Sequence, residues 1–274
     1  MNGLRHGLCA LATLAFVGLG TNAFAGDTTE LVDKGAIEVD PVFSVDNLHD
    51  GKPLVSTELG IVYGVLDGFN IGGGVAFASE EGMNGMDASL NVNALATPVD
   101  TDHVDLDVRV DFDWAIGDGY SLTPSFEFNY DYEPDLAAWG LYLRFGLPIF
   151  GQPAVASEEV DDLIEALGGK APKQKGADVA ISLTLGAYLT FAEVHQIILE
   201  GGFNYNNLAE NFDEAALEEG FVSVGYNVVI NDSFELTTEL AFHLPCNDDE
   251  EFSAGLTVGG IFTIGGGSDG GDAE

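Results

Sequence analysis

Asp105, Asp107, Asp111 and Asp113 alternate with apolar residues in the stretch VDLDVRVDFDW, and Arg109 stands among them. In an extended strand, residues two apart share a face. The five charged side chains would therefore lie opposite Val104, Leu106, Val108, Val110, Phe112 and Trp114. Carboxylates set out in this way form a wall of negative potential that concentrates cations and repels anions. Glu38, Asp40, Glu58, Glu127, Glu200, Glu235 and Glu239 occupy equivalent positions in other alternating stretches. The plainer alternative is a solvated, non-conducting face held by hydrogen bonds and counterions. Past residue 25 the only arginines are Arg109 and Arg144, both on the charged parity. Each is expected to pair with neighbouring carboxylates and relieve their repulsion, the sharper alternative being a constriction that orients a ligand.

Other chemistry is thinly represented. The chain has no G-x-S-x-G, H-E-x-x-H, phosphate-binding loop or paired C-x-x-C. His49, His103, His195 and His243 are scattered, and a rim hydrolase built on His243 would lack an identifiable serine partner. No catalytic residue, cofactor or defined metal site is expected. The acidic run Asn247 to Glu251 could hold divalent cations through oxygen ligands, but it matches no calcium-loop spacing and reads first as a solvated loop. Lys170, Lys173 and Lys175 read likewise as a solvated loop face.

The elements that must carry these residues are strands. Alternation recurs in AIEVDPVFSVDN (36–47), STELGIVYGVL (56–66), FNIGGGVAFA (69–78), SLNVNALA (89–96) and SLTPSFEFNYD (121–131). It continues in AWGLYLRFGLPIF (138–150), DVAISLTLGAYLTF (178–191), HQIILEGGFNYN (195–206), FVSVGYNVVI (221–230), FELTTELAFH (234–243) and FSAGLTVGGIFTI (252–264). With the Asp-rich stretch this predicts about twelve strands of roughly ten residues, enough to cross a bilayer at a tilt. Links at Asp67-Gly68, Ala192-Glu193 and Asn231–Ser233 are short, whereas those at 79–88, 151–177, 207–220 and 244–251 are long and acidic. The short turn at Ile116–Tyr120 falls on the long-loop side of this alternation, which leaves ten strands as the alternative count. Helices are expected in two loops, over Ser157 to Gly169 and around Asp213 to Glu219.

Composition decides what the two faces touch. The chain has 46 acidic and 8 basic residues, a formal net charge of −38, which rules out nucleic acid as a partner. Residues 1–25 contain one arginine, an apolar run from Leu8 to about Leu19 and a closing Ala23-Phe24-Ala25. This pattern predicts a signal peptide cleaved before Gly26. No later stretch is apolar enough for a membrane helix, so membrane residence would require a closed barrel. Aromatics such as Tyr63, Trp114, Tyr120, Trp139, Phe191, Phe234 and Phe262 fall mostly near strand ends on the apolar parity, where interfacial girdles lie. A soluble sandwich would also alternate, but uniform strands with few lysines favour lipid outside and a wet interior. Cys246 has no partner past residue 25, and Gly265 to Glu274 reads as a flexible acidic tail.

The run from Glu58 through Asp67-Gly68 to Gly74 resembles a strand–turn–strand unit of bacterial outer-membrane transporter-like proteins, the phenol-degradation meta-pathway type. Trp114–Leu122 and Gly225–Leu236 resemble the same unit. The resemblance implies an outer-membrane location and passage of small solutes, and it carries no catalytic motif. The acidic parity departs from a lining suited to hydrophobic aromatics.

The expectation is therefore an all-β, antiparallel transmembrane barrel over residues 26–264, in contact with outer-membrane lipid. It would act as a passive pore for cationic or neutral small solutes. A non-conducting structural or surface-interaction barrel, or a secreted soluble acidic β protein, are the alternatives.

Overall fold

The computed structural model describes residues 31–46, 53–79, 86–116, 119–133, 137–151, 178–206, 216–245 and 252–265. The signal peptide, the expected helix over 157–169, the lysine cluster, the 247–251 run and nearly all of the tail lie outside the described residues. Among those described there is no helix.

The strands are β1 (Ile37–Asp46), β2 (Leu54–Leu66), β3 (Phe69–Ser79), β4 (Met86–Asp100), β5 (Val104–Ala115), β6 (Gly119–Tyr132) and β7 (Ala137–Gly146). Two short pieces follow, β8 (Ile149–Gly151) and β9 (Asp178–Val179). Then come β10 (Ile181–Phe191), β11 (His195–Asn206), β12 (Ala216–Asn231), β13 (Phe234–Pro245) and β14 (Ser253–Ile264). Twelve long strands pair antiparallel with their chain neighbours, and β1 closes on β14 from Ile37↔Ile264 to Val45↔Leu256. The two short pieces continue their long neighbours. β8 extends β7 past Leu147-Pro148 and pairs β6, and β9 leads through Ala180 into β10. Proline offers no backbone donor, so the ladder breaks there. Local bonds close the gap: the Leu147 N–H donates to the Pro124 carbonyl at 2.9 Å, and the Ala180 N–H to the Pro148 carbonyl at 2.8 Å.

Strand order settles the expected count at twelve. The 116–118 link does lie on the long-loop rim, as the shortest connection there. Two boundaries differ from expectation. Strand β4 is much longer than 89–96. The helix expected around 213–219 is overturned at Ala216–Glu219, which is strand, while 213–215 lie outside the described residues. The reason is pairing: Asn206↔Ala216 and Tyr205↔Leu217 prolong the β11–β12 ladder across a bulge at Asn204/Tyr205. A helix of under two turns has no comparable return for its nucleation cost.

The burial pattern is inside-out relative to a soluble sheet. Phe112, Trp114, Leu122, Phe126, Phe128, Leu141, Leu143, Leu185 and Leu199 are exposed, while Ser121, Thr123, Asn129, Ser223 and Thr237 are buried. Aromatic contacts band both rims. At the short-turn rim Phe234 stacks on Phe262 with centroids 4.5 Å apart, and Tyr132 tilts against Trp139 at 5.8 Å. At the other rim Phe112 meets Tyr120 at 6.1 Å and Phe242 meets Phe252 at 6.2 Å. An apolar belt between aromatic girdles around a polar interior is the outer-membrane barrel arrangement, and places this chain in the outer membrane.

Before β1 the chain turns inward. The Gly35 N–H donates to the Gly64 carbonyl at 2.8 Å, and the Gly64 N–H donates to the Ala36 carbonyl at 3.1 Å. Asn70, with its amide oriented to satisfy both ends, donates to the Val32 carbonyl at 3.2 Å and accepts from the Val32 N–H at 2.7 Å. Residues 31–36 thus form a strap against the inner face of β2 and β3 at the short-turn rim. Gly64 makes room for it, because a Cβ there would stand 2.2 Å from the Asp33 carbonyl oxygen. Gly64→Ala is therefore expected to expel the strap without opening the barrel. In a Val32→Cys background, buried at 4% exposure, the thiol should become reactive to an aqueous maleimide only when Gly64→Ala is added. Equal reactivity in both would contradict this packing.

Candidate functional site

Alternation along each strand carries all ten candidate charged residues onto the interior parity. Around the barrel, Asp105, Asp107, Arg109, Asp111 and Asp113 lie on β5, Glu127 on β6, Arg144 on β7 and Glu200 on β11. These eight form one wall. Glu235 and Glu239 lie on β13, two strands beyond β11 and six positions round from β5 in the twelve-strand order, across the barrel from the aspartate strand. The structure therefore brings eight of the ten together and separates two.

Within the main wall nearly every charge has a named partner. The Arg109 Nε donates to both Asp111 oxygens, at 2.9 and 3.1 Å. Arg144 donates to Glu127, which is 3% exposed, and its guanidinium also lies 5.9 Å from the Tyr142 ring centroid. Asp107 accepts from Thr97 and from Asn129, the latter at 2.9 Å. Asp113 accepts from Asn91 at 2.7 Å and Ser121 at 3.3 Å. Glu200 accepts from the Tyr142 hydroxyl at 2.5 Å and from Ser223 at 3.3 Å. Buried carboxylates need such donors, since an isolated charge in a low-dielectric setting is expensive.

Two tyrosines complete this wall, and their roles were hidden in the sequence. Tyr142 stands opposite Gly186, and its ring lies where a Gly186 side chain would be, 2.0 Å from an added Cβ. Only by crossing that glycine does its hydroxyl reach Glu200 on the next strand but one. Tyr188 crosses β7 in the reverse sense to donate to Asp131. Tyr142 clusters with Ile198, an apolar residue on the inner face, and Tyr188 packs against that cluster. The available signal was positional: a large ring on a parity otherwise filled by glycine and charge.

The arrangement offers fixed charge and hydrogen-bond acceptors. Among the described residues no three His, Cys, Asp or Glu side chains group to hold a metal ion.

No protein-family model matches the sequence, and no curated protein does. Solved structures do. The chain is similar to an outer-membrane channel from Pseudomonas putida F1, with 13% identity and TM-score 0.57 over 87% of this chain and 98% of that one. It is similar to the KdgM porin solved with disordered oligogalacturonate, with 10% identity and TM-score 0.56 over 83% and 99%. The NanC porin gives 10% identity and TM-score 0.53 over 82% and 100%. At these identities the likeness is one of fold. The chain has the outer-membrane barrel fold that these porins and channels share, and none of these matches identifies the phenol-degradation type.

The Arg144–Glu127 pair gives a direct test of the wall. Arg144→Met should destabilise the folded barrel by about 3 kcal/mol, because it leaves a buried carboxylate uncompensated. Adding Glu127→Gln should recover part of that loss. Denaturant unfolding in detergent or lipid measures both, and additive losses in the double variant would contradict the pairing.

Proposed function

We propose that the protein is a passive outer-membrane pore whose interior favours cationic or neutral small solutes over anions. One observation carries this reading: the interior parity holds many carboxylates against two arginines, and each arginine is already engaged by a carboxylate. The residual interior charge is negative, and a negative wall raises the local cation concentration. A barrel of this fold has been solved with oligogalacturonate, which is an anion. The present interior carries the same sign as that anion and would repel it, so a different class of solute is proposed here. The phenol-degradation resemblance is accordingly read as one of architecture, and no enzymatic activity is assigned. Export by a signal peptide ending at Ala25 belongs to the same proposal, with Gly26 as the expected mature N-terminus on sequencing.

A second reading has its own support. The strap at residues 31–36 and the buried Tyr142–Glu200 contact take up interior space, which suits a non-conducting barrel whose acidic loops meet partners or divalent cations. Single-channel recording separates the two readings: inserted, folded barrel without current supports the second.

Asp105, Glu235 and Glu239 are half-buried and stand on strands at opposite sides of the barrel, so they test selectivity with less damage than the fully buried carboxylates. Converting all three to amides should lower the cation-over-anion permeability ratio by about threefold, read from the zero-current potential across a salt gradient. An unchanged potential would sink the selectivity reading.

A further inference from the structure

Near the short-turn rim two paired residues each keep one buried acceptor oxygen without a hydrogen-bond partner. Asp105 on β5 is directly opposite Asn129 on β6. The Asn129 Nδ2 is committed to Asp107 at 2.9 Å, which turns its Oδ1 away from that carboxylate. This Oδ1 is buried, in a residue only 4% exposed, and no protein group hydrogen-bonds to it. The Asp105 Oδ1 is likewise buried and unbonded, although the Thr101 backbone N–H lies beside the same carboxylate. Two acceptors cannot satisfy each other. Flipping the amide would serve Asp105 only by setting an oxygen against Asp107. A buried acceptor without a donor costs free energy, so the pair calls for a donor from outside the chain.

Neighbouring groups define that donor. Asp131 lies two residues along β6 on the same face and accepts from the Tyr188 hydroxyl. The Tyr188 ring covers Gly140, where an added Cβ would be 2.4 Å from a ring carbon. The ring is therefore held flat to the wall beside the carboxylates. Neither arginine is available to the pair, since Arg109 is turned to Asp111 and Arg144 to Glu127. A hard metal ion requires six or more oxygens, and no group of three acidic or histidine side chains converges among the described residues. A primary ammonium needs fewer: two or three acceptors for its N–H groups and an aromatic face for its charge.

We infer that Asp105, Asn129 and the adjoining Asp131–Tyr188 pair form a subsite for the primary ammonium group of a small organic cation. Asp105 is half-buried at the rim, so rotation of its side chain opens the acceptor pair to the interior. Asn129, held by Asp107, stays in place to receive the second N–H. The subsite deepens the cation-pore reading by naming the class of cation, and it rests on that reading only for the ligand's way in.

Calorimetric titration of the full barrel, folded in detergent, tests binding without requiring current. The probes are propylammonium, tetramethylammonium and potassium chlorides at constant ionic strength. Propylammonium should bind saturably, and tetramethylammonium and potassium, which lack N–H donors, at least about tenfold more weakly. Asp105→Asn should weaken propylammonium by about tenfold or more. Asn129→Ala, with folding checked by heat-shifted gel mobility, should do the same, and Asp105→Asn alone decides if it fails to fold. Equal binding of the three cations, no saturable propylammonium binding, or affinity unchanged in Asp105→Asn would overturn the subsite. Binding without channel current would uphold the subsite and refute the pore. Cation-selective current without binding would do the reverse.

Discussion

In hydrocarbon no water is present to receive a backbone N–H or C=O, and every other feature of this protein is arranged around that constraint. A sheet satisfies it only by leaving no edge, which here depends on the β1–β14 seam from Ile37↔Ile264 to Val45↔Leu256. Where the ladder must break, at Leu147-Pro148 and Ala180, two further backbone bonds carry the pairing across. Closure then assigns the faces. Once lipid takes the outer parity, Phe, Leu, Trp and Tyr can stand exposed there, and the carboxylates have only the interior.

The interior poses the opposite problem, because carboxylates confined together repel and lose hydration. The wall from β5 to β11 meets it with donors from the same or nearby strands: two arginines, two asparagines, a threonine, two serines and two tyrosines. Glycines opposite the tyrosines let these rings lie flat, so that a side chain from one strand reaches a carboxylate two strands away. The result is a rigid wall in which most charges are held and a few remain half-buried. That division between structural and accessible carboxylates connects the packing to the proposed selectivity.

Much of this was legible in the sequence because the side-chain period of a strand is two. Asp105 to Asp113 against Val104 to Trp114 needs no partner to reveal its two faces, and the twelve strands follow from repetitions of that pattern. What one strand cannot reveal is its neighbour's register. The Tyr142–Glu200 contact joins residues 58 apart in the chain and depends on the Gly186 register between them. The strap at 31–36 was invisible for a similar reason, since Val32 has meaning only beside Asn70 and Gly64. The helix expected at 213–219 failed where apolar spacing in a short segment was outweighed by continued pairing with β11.

The central claim is that the charged parity faces a water-filled interior and the apolar parity faces lipid. Single cysteines along β5 test it most directly in reconstituted barrels. At positions 105, 109 and 113 the thiol should react with a charged, water-borne thiosulfonate. At 108, 110 and 112 a thiol-linked fluorophore should be quenched by brominated lipid. Reactivity and quenching that do not alternate, or that alternate with the parities exchanged, would contradict the account.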